Sequence, residues 1–405
     1  MSTLSERILG GTAGTYVDRT VDRAFAHDGT GVLAMEAYRQ MGNPKPARPE
    51  TVSIIYDHLA PANTSQTATL QKELREFAAA AGFALTDVGG GICHQLMSEG
   101  WVLPGEVVVG ADSHSCTTGA FGAFSTGVGA TDMAAIWAEG STWFRVPETI
   151  NIALTGRLPA WCEAKDIVLT VTGRIGMDGG TYRALEYTGD GAAALPMAGR
   201  LTLCNMAVEC GAKTGLFYAD KTTQAYLARY GHTVERQEPE KDTTYCRELH
   251  IDLGDTEPVL SVPHRVDTVA PVSDYAGSPL DQVFVGTCTN GRYEDLERFA
   301  HIVRGKEVAC RTIVVPASRA IMQQAAETGV LADIIGAGCM VGPPGCGPCL
   351  GMHMGVLGEG ETALSTANRN FRNRMGVGAE YYLGSVATAA VSALAGEIAS
   401  PEGIL

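Results

Sequence analysis

Long apolar runs and positive charge are both scarce in this sequence, and each scarcity excludes a class of protein. No stretch approaches 18 uninterrupted apolar residues, and the first residues contain no apolar core of a secretion signal. Lys and Arg total 30 against 45 Asp and Glu, a formal net charge of −15. This balance argues against nucleic-acid binding as the main activity, and an anionic substrate would need a local arginine cluster. The lack of a long apolar run argues against a membrane partner. Eleven cysteines in a chain without such a signal indicate reduced thiols and a cytoplasmic location.

Short apolar runs alternate with helical stretches along the 405 residues. The pattern predicts strands at 51–56, 106–110, 282–286 and 311–315, and helices at 66–81, 293–304 and 317–329. Such alternation is typical of layered α/β domains, with polar loops after the carboxyl ends of the strands. A shift in composition near residue 147 and a polar, proline-containing linker at about 235–265 divide the chain into three predicted domains. Their ranges are 1–150, 151–265 and 266–405.

Three cysteines lie in settings that suit metal binding. Cys288 follows an apolar run and precedes a helical stretch, so backbone N–H groups are expected to face its thiol and favour the thiolate. Cys346 and Cys349 lie in a loop of Gly and Pro that excludes regular helix or strand. Three thiolates are one too few for a four-iron cluster. If these three hold such a cluster, one iron is left open to bind and polarise a substrate.

Two other roles for these cysteines are considered. A Cys-x-x-Cys pair can be a redox couple, but the surroundings of Cys346 and Cys349 lack the βαβ pattern of thioredoxin-like proteins. The pair can also be half of a zinc site, but no second Cys-x-x-Cys supplies the remaining ligands. The cysteines alone therefore leave the cluster and its alternatives open.

Histidines and carboxylates recur in the glycine-flanked loops after the predicted strands. Asp57 and His58 follow the first strand, His94 follows a triple glycine, and Asp112 and His114 follow the next strand. A histidine beside a carboxylate suits proton transfer near neutral pH, although a single pair is more often structural. A metal site is a further alternative, but no two of these histidines show the helical i, i+4 spacing of a typical zinc pair.

Two further motifs carry polar residues. Asn205 and Glu209 are four apart in an apolar stretch, so a buried helix would place them on one face and require a partner for the carboxylate. Arg369, Arg372 and Arg374 lie close together near the end of the chain, and guanidinium groups suit carboxylates. In isolation, the arginines would be interpreted as a basic surface patch.

Together these motifs resemble the aconitase superfamily of cluster-dependent hydro-lyases. Within it, the chain is similar to the branch formed by the large subunits of 3-isopropylmalate dehydratase and homoaconitase. The resemblance extends from His27 to Asn368 and Arg369, nearly the whole chain, with the motifs in the family's order. It implies three-layer aconitase-like α/β/α domains 1–3 without the swivelling fourth domain of aconitases.

The resemblance implies a role for most of the residues above. A [4Fe-4S] cluster with one open iron would be held by Cys288, Cys346 and Cys349. The catalytic carboxylate–histidine pairs would be Asp57 with His58, Asp112 with His94, and Glu209 with His114. Substrate would be contacted by His27, Ser113, Asn205, Asn368, Arg369 and Arg374. His27 and Thr117 stand where aconitases have glutamine and asparagine, and Arg372 receives no role.

The implied reaction is the interconversion of 2-isopropylmalate and 3-isopropylmalate in leucine biosynthesis, by loss and return of water. The open iron would polarise the C–OH bond, and a histidine would protonate the leaving hydroxide. The family's base is a serine in a Tyr-Gly-x-Gly-Ser-Ser-like motif, which this sequence lacks. A separate small subunit is therefore expected to supply the base, as one half of a heterodimer or heterotetramer.

Other functions stay open at this point. The same chemistry could act on homocitrate and homoisocitrate, citramalate and citraconate, or 2,3-dimethylmalate. A cluster-free relative that binds RNA is a candidate of another class, against which the acidic charge speaks. A structural protein stabilised by zinc is a third candidate.

Overall fold

The computed structural model describes residues 2–240 and 242–404. The α-helices are α1 Leu4–Leu9, α2 Thr30–Gln40, α3 Ser65–Ala81, α4 Cys93–Ser98, α5 Ala130–Glu139, α6 Ala164–Ile175, α7 Gly189–Ala194, α8 Met197–Asn205, α9 Lys221–Ala228, α10 Thr287–Asn290, α11 Tyr293–Val303, α12 Arg319–Glu327, α13 Val330–Gly336 and α14 Val386–Ala395. The strands are β1 Tyr16–Thr20, β2 Arg23–His27, β3 Val52–Ile55, β4 Ala84–Thr86, β5 Val107–Gly110, β6 Phe124–Gly127, β7 Ser141–Arg145, β8 Thr149–Thr155, β9 Ala184–Thr188, β10 Thr214–Leu216, β11 Arg247–Asp252, β12 Val259–Ser261, β13 Val269–Pro271, β14 Gln282–Val285, β15 Arg311–Val314, β16 Met340–Val341, β17 Thr362–Ser365 and β18 Glu380–Leu383. Three 3₁₀ turns matter below: Ser113–Phe121, Met206–Cys210 and Gly347–Leu350.

These elements form two compact units. The first contains the residues up to Leu154 together with Gly180–His250, and the second contains Thr155–Gly179 together with the residues from Ile251 onward. The chain therefore passes from one unit to the other three times. The division into three domains made from composition stays a prediction.

A five-stranded parallel sheet organises the first unit, in the order β4-β3-β2-β5-β6. Strands β3 and β5 are buried along their whole length because helices cover the sheet, which explains why they are almost continuous apolar runs in the sequence. A second sheet has the order β10-β9-β8-β11, and β1 and β7 form an antiparallel ribbon. The carboxyl ends of β3, β2 and β5 therefore lie side by side.

Aromatic packing and helix caps hold the helices of this unit in place. The buried rings of Tyr38 in α2 and Trp137 in α5 pack with the half-buried ring of Phe77 in α3, with ring centroids 5.6–5.9 Å apart. Helix α3 begins where the Thr64 side chain accepts the N–H of Thr67, and it ends at Gly82, whose φ of 74° suits glycine. Local sequence thus fixes the ends of the helix, and apolar burial fixes its position.

The second unit is built on a seven-stranded sheet in the order β13-β12-β18-β17-β14-β15-β16. Strand β14 lies near the middle and pairs in parallel with β17 and β15, whereas β12 is antiparallel to both of its neighbours. Helices α11 and α14 pack against each other on this sheet, and residues 386–393 of α14 are all buried. The parallel centre of the sheet places the turns after β14 and β17 next to each other.

The structure confirms the α/β prediction, adjusts the ends of the predicted elements and changes the description of the linker. All seven predicted strands and helices are present, with ends that differ by at most two residues. The predicted linker at 235–265 is wrong in part, because β11 and β12 lie within it and belong to sheets. In the described part of the chain, no helix has the length and apolar character needed to cross a membrane.

Candidate active site

Three neighbouring parallel strands of the first unit end in histidines and carboxylates. His27 ends β2, Asp57 follows β3, and Asp112 follows β5. These strands are adjacent, so their polar ends converge at one edge of the sheet, the usual place for ligands in open α/β sheets. His27 and Asp57 are buried, and Asp112 is half-buried.

The carboxylate of Asp112 lies close to four histidines. Its Oδ1 lies 3.1 Å from Nε2 of His94 and 3.5 Å from Nδ1 of His114. Its Oδ2 lies 3.6 Å from Nε2 of His27 and 3.7 Å from Nε2 of His58. Burial alone would raise the pKa of Asp112, but the nearby histidines His94 and His114 hold it well below its ordinary value. The carboxylate is thus ionised at neutral pH.

Asp57 and His58 form the shortest carboxylate–histidine pair. Asp57 Oδ1 lies 2.6 Å from His58 Nδ1, and Asp57 Oδ2 accepts the backbone N–H of Cys93 at 2.7 Å. Burial opposes ionisation of Asp57, but the charge of His58 and its hydrogen bond lower the pKa to about 2. The permanent carboxylate favours the tautomer of His58 that carries hydrogen on Nδ1, so Nε2 is the position that takes up or releases a proton.

Asn205, the last residue of α8, and Glu209, in the 3₁₀ turn that follows, both contact the 3₁₀ turn Ser113–Phe121. Glu209 Oε1 lies 2.8 Å from His114 Nε2, and Asn205 donates to Thr117 Oγ1 at 2.8 Å. The prediction that both lie on one face of an α-helix is wrong, because α8 ends at Asn205 and the chain tightens there. The carboxylate nevertheless has the partner that its burial requires.

His27 is neutral at physiological pH. Its Nδ1 accepts the backbone N–H of Gly29 at 3.1 Å, so the hydrogen resides on Nε2. Its ring stacks on that of His58, with centroids 3.6 Å apart. Burial, followed by the charge of His58, lowers its pKa to about 4, although three carboxylates act in the other direction. His27 is therefore a neutral imidazole whose Nε2–H lies 3.6 Å from Asp112 Oδ2, and it is not a general acid at pH 7.

Asp28 holds the loop that carries Asp57 and His58, and it was not identified from the sequence. Oδ1 accepts the backbone N–H groups of Asp57 and His58 at 3.3 and 2.9 Å. Oδ2 accepts the N–H of Leu59 at 2.9 Å and the side-chain N–H of Gln71 at 3.1 Å. Four donors thus converge on one buried carboxylate, which fixes the loop that presents the Asp57–His58 pair. Its position directly after His27, at the end of a strand, was the available signal.

His27, Asp28, Asp57 and His58 also have ligand atoms within 4.8 Å of one another, as a metal site would require. Their hydrogen bonds argue against a metal. The four N–H groups on Asp28 saturate its oxygens, and His27 Nδ1 already accepts from Gly29. A cation would have to displace several buried protein donors, so the cluster is better described as a hydrogen-bonded network.

The three cysteines lie in the second unit. Cys288 is on α10, two residues beyond Gly286, whose φ of 153° lets the chain turn sharply at the end of β14. Cys346 and Cys349 flank the start of a single 3₁₀ turn within an otherwise irregular loop, as the Gly and Pro content predicts. The loop closes at Gly351, where any Cβ would meet the Arg374 carbonyl at 2.0 Å. All three cysteines are 7–8% exposed.

Asn368 joins this region from the neighbouring strand end, after β17. Its side-chain N–H donates to Cys288 Sγ at 3.5 Å, and Cys349 Sγ lies 3.9 Å from its Oδ1. The guanidinium of Arg374 lies 3.9 Å from Cys349 Sγ. Arg369 is half-buried beside Asn368, whereas Arg372 is exposed and takes no part in these contacts. Amide and guanidinium N–H groups thus face the sulfurs of Cys288 and Cys349.

A single zinc ion is the alternative occupant of the three cysteines. A tetrahedral zinc ion with Zn–S bonds of about 2.3 Å would bring sulfurs to about 3.8 Å from one another. Within residues 2–240 and 242–404, the group around His27 is the only set of three or more ligand atoms all within 4.8 Å. The cysteines therefore do not form a closed single-ion site.

Comparison with known proteins decides the family. The model of the Aconitase family (aconitate hydratase) matches residues 5–396. The chain belongs to the aconitase family. Membership implies an iron–sulfur cluster, and the three buried, reduced cysteines with their amide and guanidinium donors fit such a group.

Relatives within the aconitase family match almost the whole chain. The "Probable methanogen homoaconitase large subunit" of Methanosarcina mazei is 50% identical over 95% of this chain and 99% of the relative. The "3-isopropylmalate dehydratase large subunit 1" of Methanopyrus kandleri is 46% identical over 98% of each. The holo-form of Thermococcus kodakaraensis aconitase X has a similar fold, with a TM-score of 0.54 and 13% identity over 87% of this chain and 84% of that one. The predicted aconitase-like fold is thereby confirmed.

Proposed function

We propose that this chain is the cluster-bearing large subunit of a hydro-lyase that interconverts 2-isopropylmalate and 3-isopropylmalate. Support comes from relatives named 3-isopropylmalate dehydratase large subunit, which are 44–46% identical over nearly their full length. The observation that carries the proposal is the set of three carboxylate–histidine pairs around Asp112, because reversible loss of water needs groups that deliver and remove protons. Leucine biosynthesis is the corresponding pathway.

Cys288, Cys346 and Cys349 are proposed to hold a [4Fe-4S] cluster in which one iron has no protein ligand. When bound, that cluster supplies a Lewis acid for the hydroxyl group that leaves. Asn368 and Arg374 stabilise the thiolates through their N–H groups. Arg369 and Arg374 are proposed to orient a substrate carboxylate, since planar guanidinium groups match carboxylate geometry.

Proton transfer is assigned to the histidines of the first unit. His58 is oriented by Asp57, His114 by Glu209, and His94 by Asp112. A histidine held in one tautomer by an ionised carboxylate can give a proton to the departing hydroxide and recover it from incoming water. His27, Ser113 and Asn205 are proposed to contact substrate and fix its orientation, which both half-reactions need.

A second, small subunit is proposed to complete the enzyme. The names of the relatives, each a large subunit, imply such a partner. It is proposed to supply the serine base that removes the carbon-bound proton, together with much of the substrate specificity. The eleven cysteines are reduced thiols, which supports a cytoplasmic enzyme.

The test is anaerobic reconstitution with iron and sulfide, followed by addition of the small subunit. We expect 3-isopropylmalate to give the absorbance of its unsaturated acid only when cluster and both subunits are present. Activity of the cluster-loaded chain alone would contradict the proposed division of labour. A chain that never binds iron would contradict the assignment of the cysteines.

Homocitrate and homoisocitrate are the second candidate substrates. The Methanosarcina mazei relative, named a homoaconitase large subunit, is 50% identical to this chain, and the Methanopyrus kandleri dehydratase subunit is 46% identical. The same assay with homocitrate, citramalate and 2,3-dimethylmalate decides among the substrates, because each loss of water gives an absorbing alkene. Turnover of homocitrate without turnover of isopropylmalate would keep the reaction class and change the substrate.

A further inference from the structure

A buried lysine lies behind the cysteine region in the second unit. Lys165 is in the first turn of α6 and is 0% exposed. Both facts are unfavourable for a cation: burial removes its hydration, and the first turn is the positive end of the helix. Within the described residues, no carboxylate lies at ion-pair distance from its ammonium. An ammonium group at this position therefore needs hydrogen-bond acceptors or negative charges from other parts of the chain.

Two backbone carbonyls provide the hydrogen bonds. The Lys165 ammonium donates to the carbonyl oxygens of Thr366 and Ala367 at 2.8 and 2.5 Å. These residues directly precede Asn368, whose amide contacts the sulfurs of Cys288 and Cys349. The ammonium therefore holds the short segment that carries Asn368 to the cysteines.

A second buried cation, Arg292, holds the backbone of the segment after β14. The Arg292 guanidinium donates to the carbonyl of Cys288 at 2.6 Å and to that of Thr289 at 2.5 Å. Thr289 in turn donates through Oγ1 to the Thr366 carbonyl at 2.9 Å. The segments after β14 and β17 are thus tied to each other and to two positive charges.

Negatively charged groups near Lys165, two cysteines among them, act against the effect of burial. Burial lowers its pKa to about 7, and the first influence that acts in the other direction is the negative charge of Cys288, with Asp295 and Cys349 following. A four-iron cluster with three thiolates carries a net negative charge in its oxidised state, since a core of charge 2+ is combined with three charges of 1−. A buried ammonium nearby offsets that charge.

We propose that Lys165 is a positioning residue for the cluster. It fixes the Thr366–Ala367 segment so that Asn368 contacts the cysteine sulfurs, and its charge stabilises the anionic cluster. This inference rests on the proposed cluster at Cys288, Cys346 and Cys349. No chemical step is assigned to Lys165 itself.

Three variants separate the two parts of this role. Lys165→Met keeps the length of the side chain and removes both charge and donors. Lys165→Gln keeps N–H donors without charge, and Lys165→Arg keeps both. Lys306→Met is the control, because Lys306 also donates to a backbone carbonyl in the same unit, at 3.0 Å, but is exposed.

The first measurement is the reduction potential of the reconstituted cluster, followed by the rate at which a chelator removes iron. Removal of the charge should shift the potential to more negative values in Lys165→Met and Lys165→Gln, and iron loss should become about tenfold faster. Lys165→Arg and Lys306→Met should remain close to the wild-type chain. A lysine with a purely structural role would leave the potential unchanged in every variant that folds.

The second measurement uses the chain without cluster. Hydrogen exchange of residues 362–372 should be faster in Lys165→Met than in the wild type, and Lys165→Gln should be intermediate because it keeps donors for the two carbonyls. If Lys165→Met does not fold, Lys165→Gln against Lys165→Arg still isolates the charge. Equal potentials in those two variants would overturn the inference alone, whereas a wild-type chain that takes up no cluster would overturn the proposed function and the inference with it.

Discussion

Replacement of Asp28 by Asn should destabilise the first unit far more than its conservative chemistry suggests. The Asp28 oxygens accept four N–H groups, and an amide offers only one oxygen. The amide that replaces the Asp28 carboxylate can place its oxygen toward Asp57 and His58 or toward Leu59 and Gln71. The first orientation costs less, because the Gln71 N–H₂ keeps its second acceptor, the Leu59 carbonyl, at 3.0 Å. That orientation leaves the N–H of the half-buried Leu59 facing the amide N–H₂ and without an acceptor.

The magnitude follows from these contacts. One buried N–H without an acceptor costs about 1–3 kcal/mol, and each remaining bond loses about 1 kcal/mol when its acceptor is no longer charged. The expected decrease in the free energy of unfolding is therefore about 3–5 kcal/mol. The Asp57–His58 loop should also shift, and a displacement of about 1 Å in a reacting group can lower kcat by about 100-fold.

Urea denaturation of the cluster-free chain, followed by tryptophan fluorescence, measures this effect. Three of the four tryptophans are in the first unit, including the buried Trp137, so the signal reports mainly on that unit. Asp87→Asn is the matched control, because Asp87 is an exposed carboxylate whose ion pair with Arg75, at 2.7 Å, is worth at most about 1 kcal/mol. A loss in Asp28→Asn no larger than in the control would refute the reasoning.

Three further predictions concern the cysteines, the pair at His114, and acid stability. Cys349→Ser should abolish the absorbance of the reconstituted cluster, whereas Cys310→Ser, a half-buried cysteine of the same unit, should not; equal iron content in the two would contradict the ligand assignment. Glu209→Gln weakens the 2.8 Å contact to His114 Nε2 and should lower kcat about 100-fold or more at unchanged iron content, as steady-state kinetics with the small subunit would show. His27→Gln should be less sensitive to acid than the wild type. Folding lowers the pKa of His27 from 6.5 to about 4, so the unfolded chain binds more protons between these values and stability is lost as the pH falls through that window, by up to about 1.4 kcal/mol per pH unit. Urea denaturation at pH 7.5 and pH 5 would show a difference between wild type and variant that shrinks at pH 5, and a constant difference would contradict it.

The sequence predicts the elements of this fold well because each has a local signal. Helix α3, for example, has Thr64 and Gly82 at its ends and an apolar face between them. The strands that end in Asp57 and Asp112 are short apolar runs bounded by polar loops. The placement of histidines and carboxylates at one sheet edge follows from the rule that polar loops of α/β sheets gather there.

Residues that act through distant partners have no such local signal. Lys165 bonds carbonyls more than 200 positions away, and its position on α6 looks like that of any surface lysine. Asp28 is visible only as a neighbour of His27, since its four donors come from two other segments. The tightening of the chain after Asn205 is also decided by tertiary contacts, because α8 there meets the turn that carries His114. These features depend on which segments meet, and periodicity contains no information about that.

The order in which the two units use the chain has a consequence for synthesis on the ribosome. Helix α6 emerges early but belongs to the second unit, and Glu163 at its start accepts the N–H of Val386, which is 223 residues further along. At about 5–20 residues per second, this partner is synthesised roughly 10–45 s later. During that interval, α6 can already pack on β12 and β13, but the ammonium of Lys165 lacks the Thr366 and Ala367 carbonyls. The buried position of Lys165 is therefore completed only late in synthesis, when residues 366 and 367 supply the two carbonyl groups that accept its hydrogen bonds.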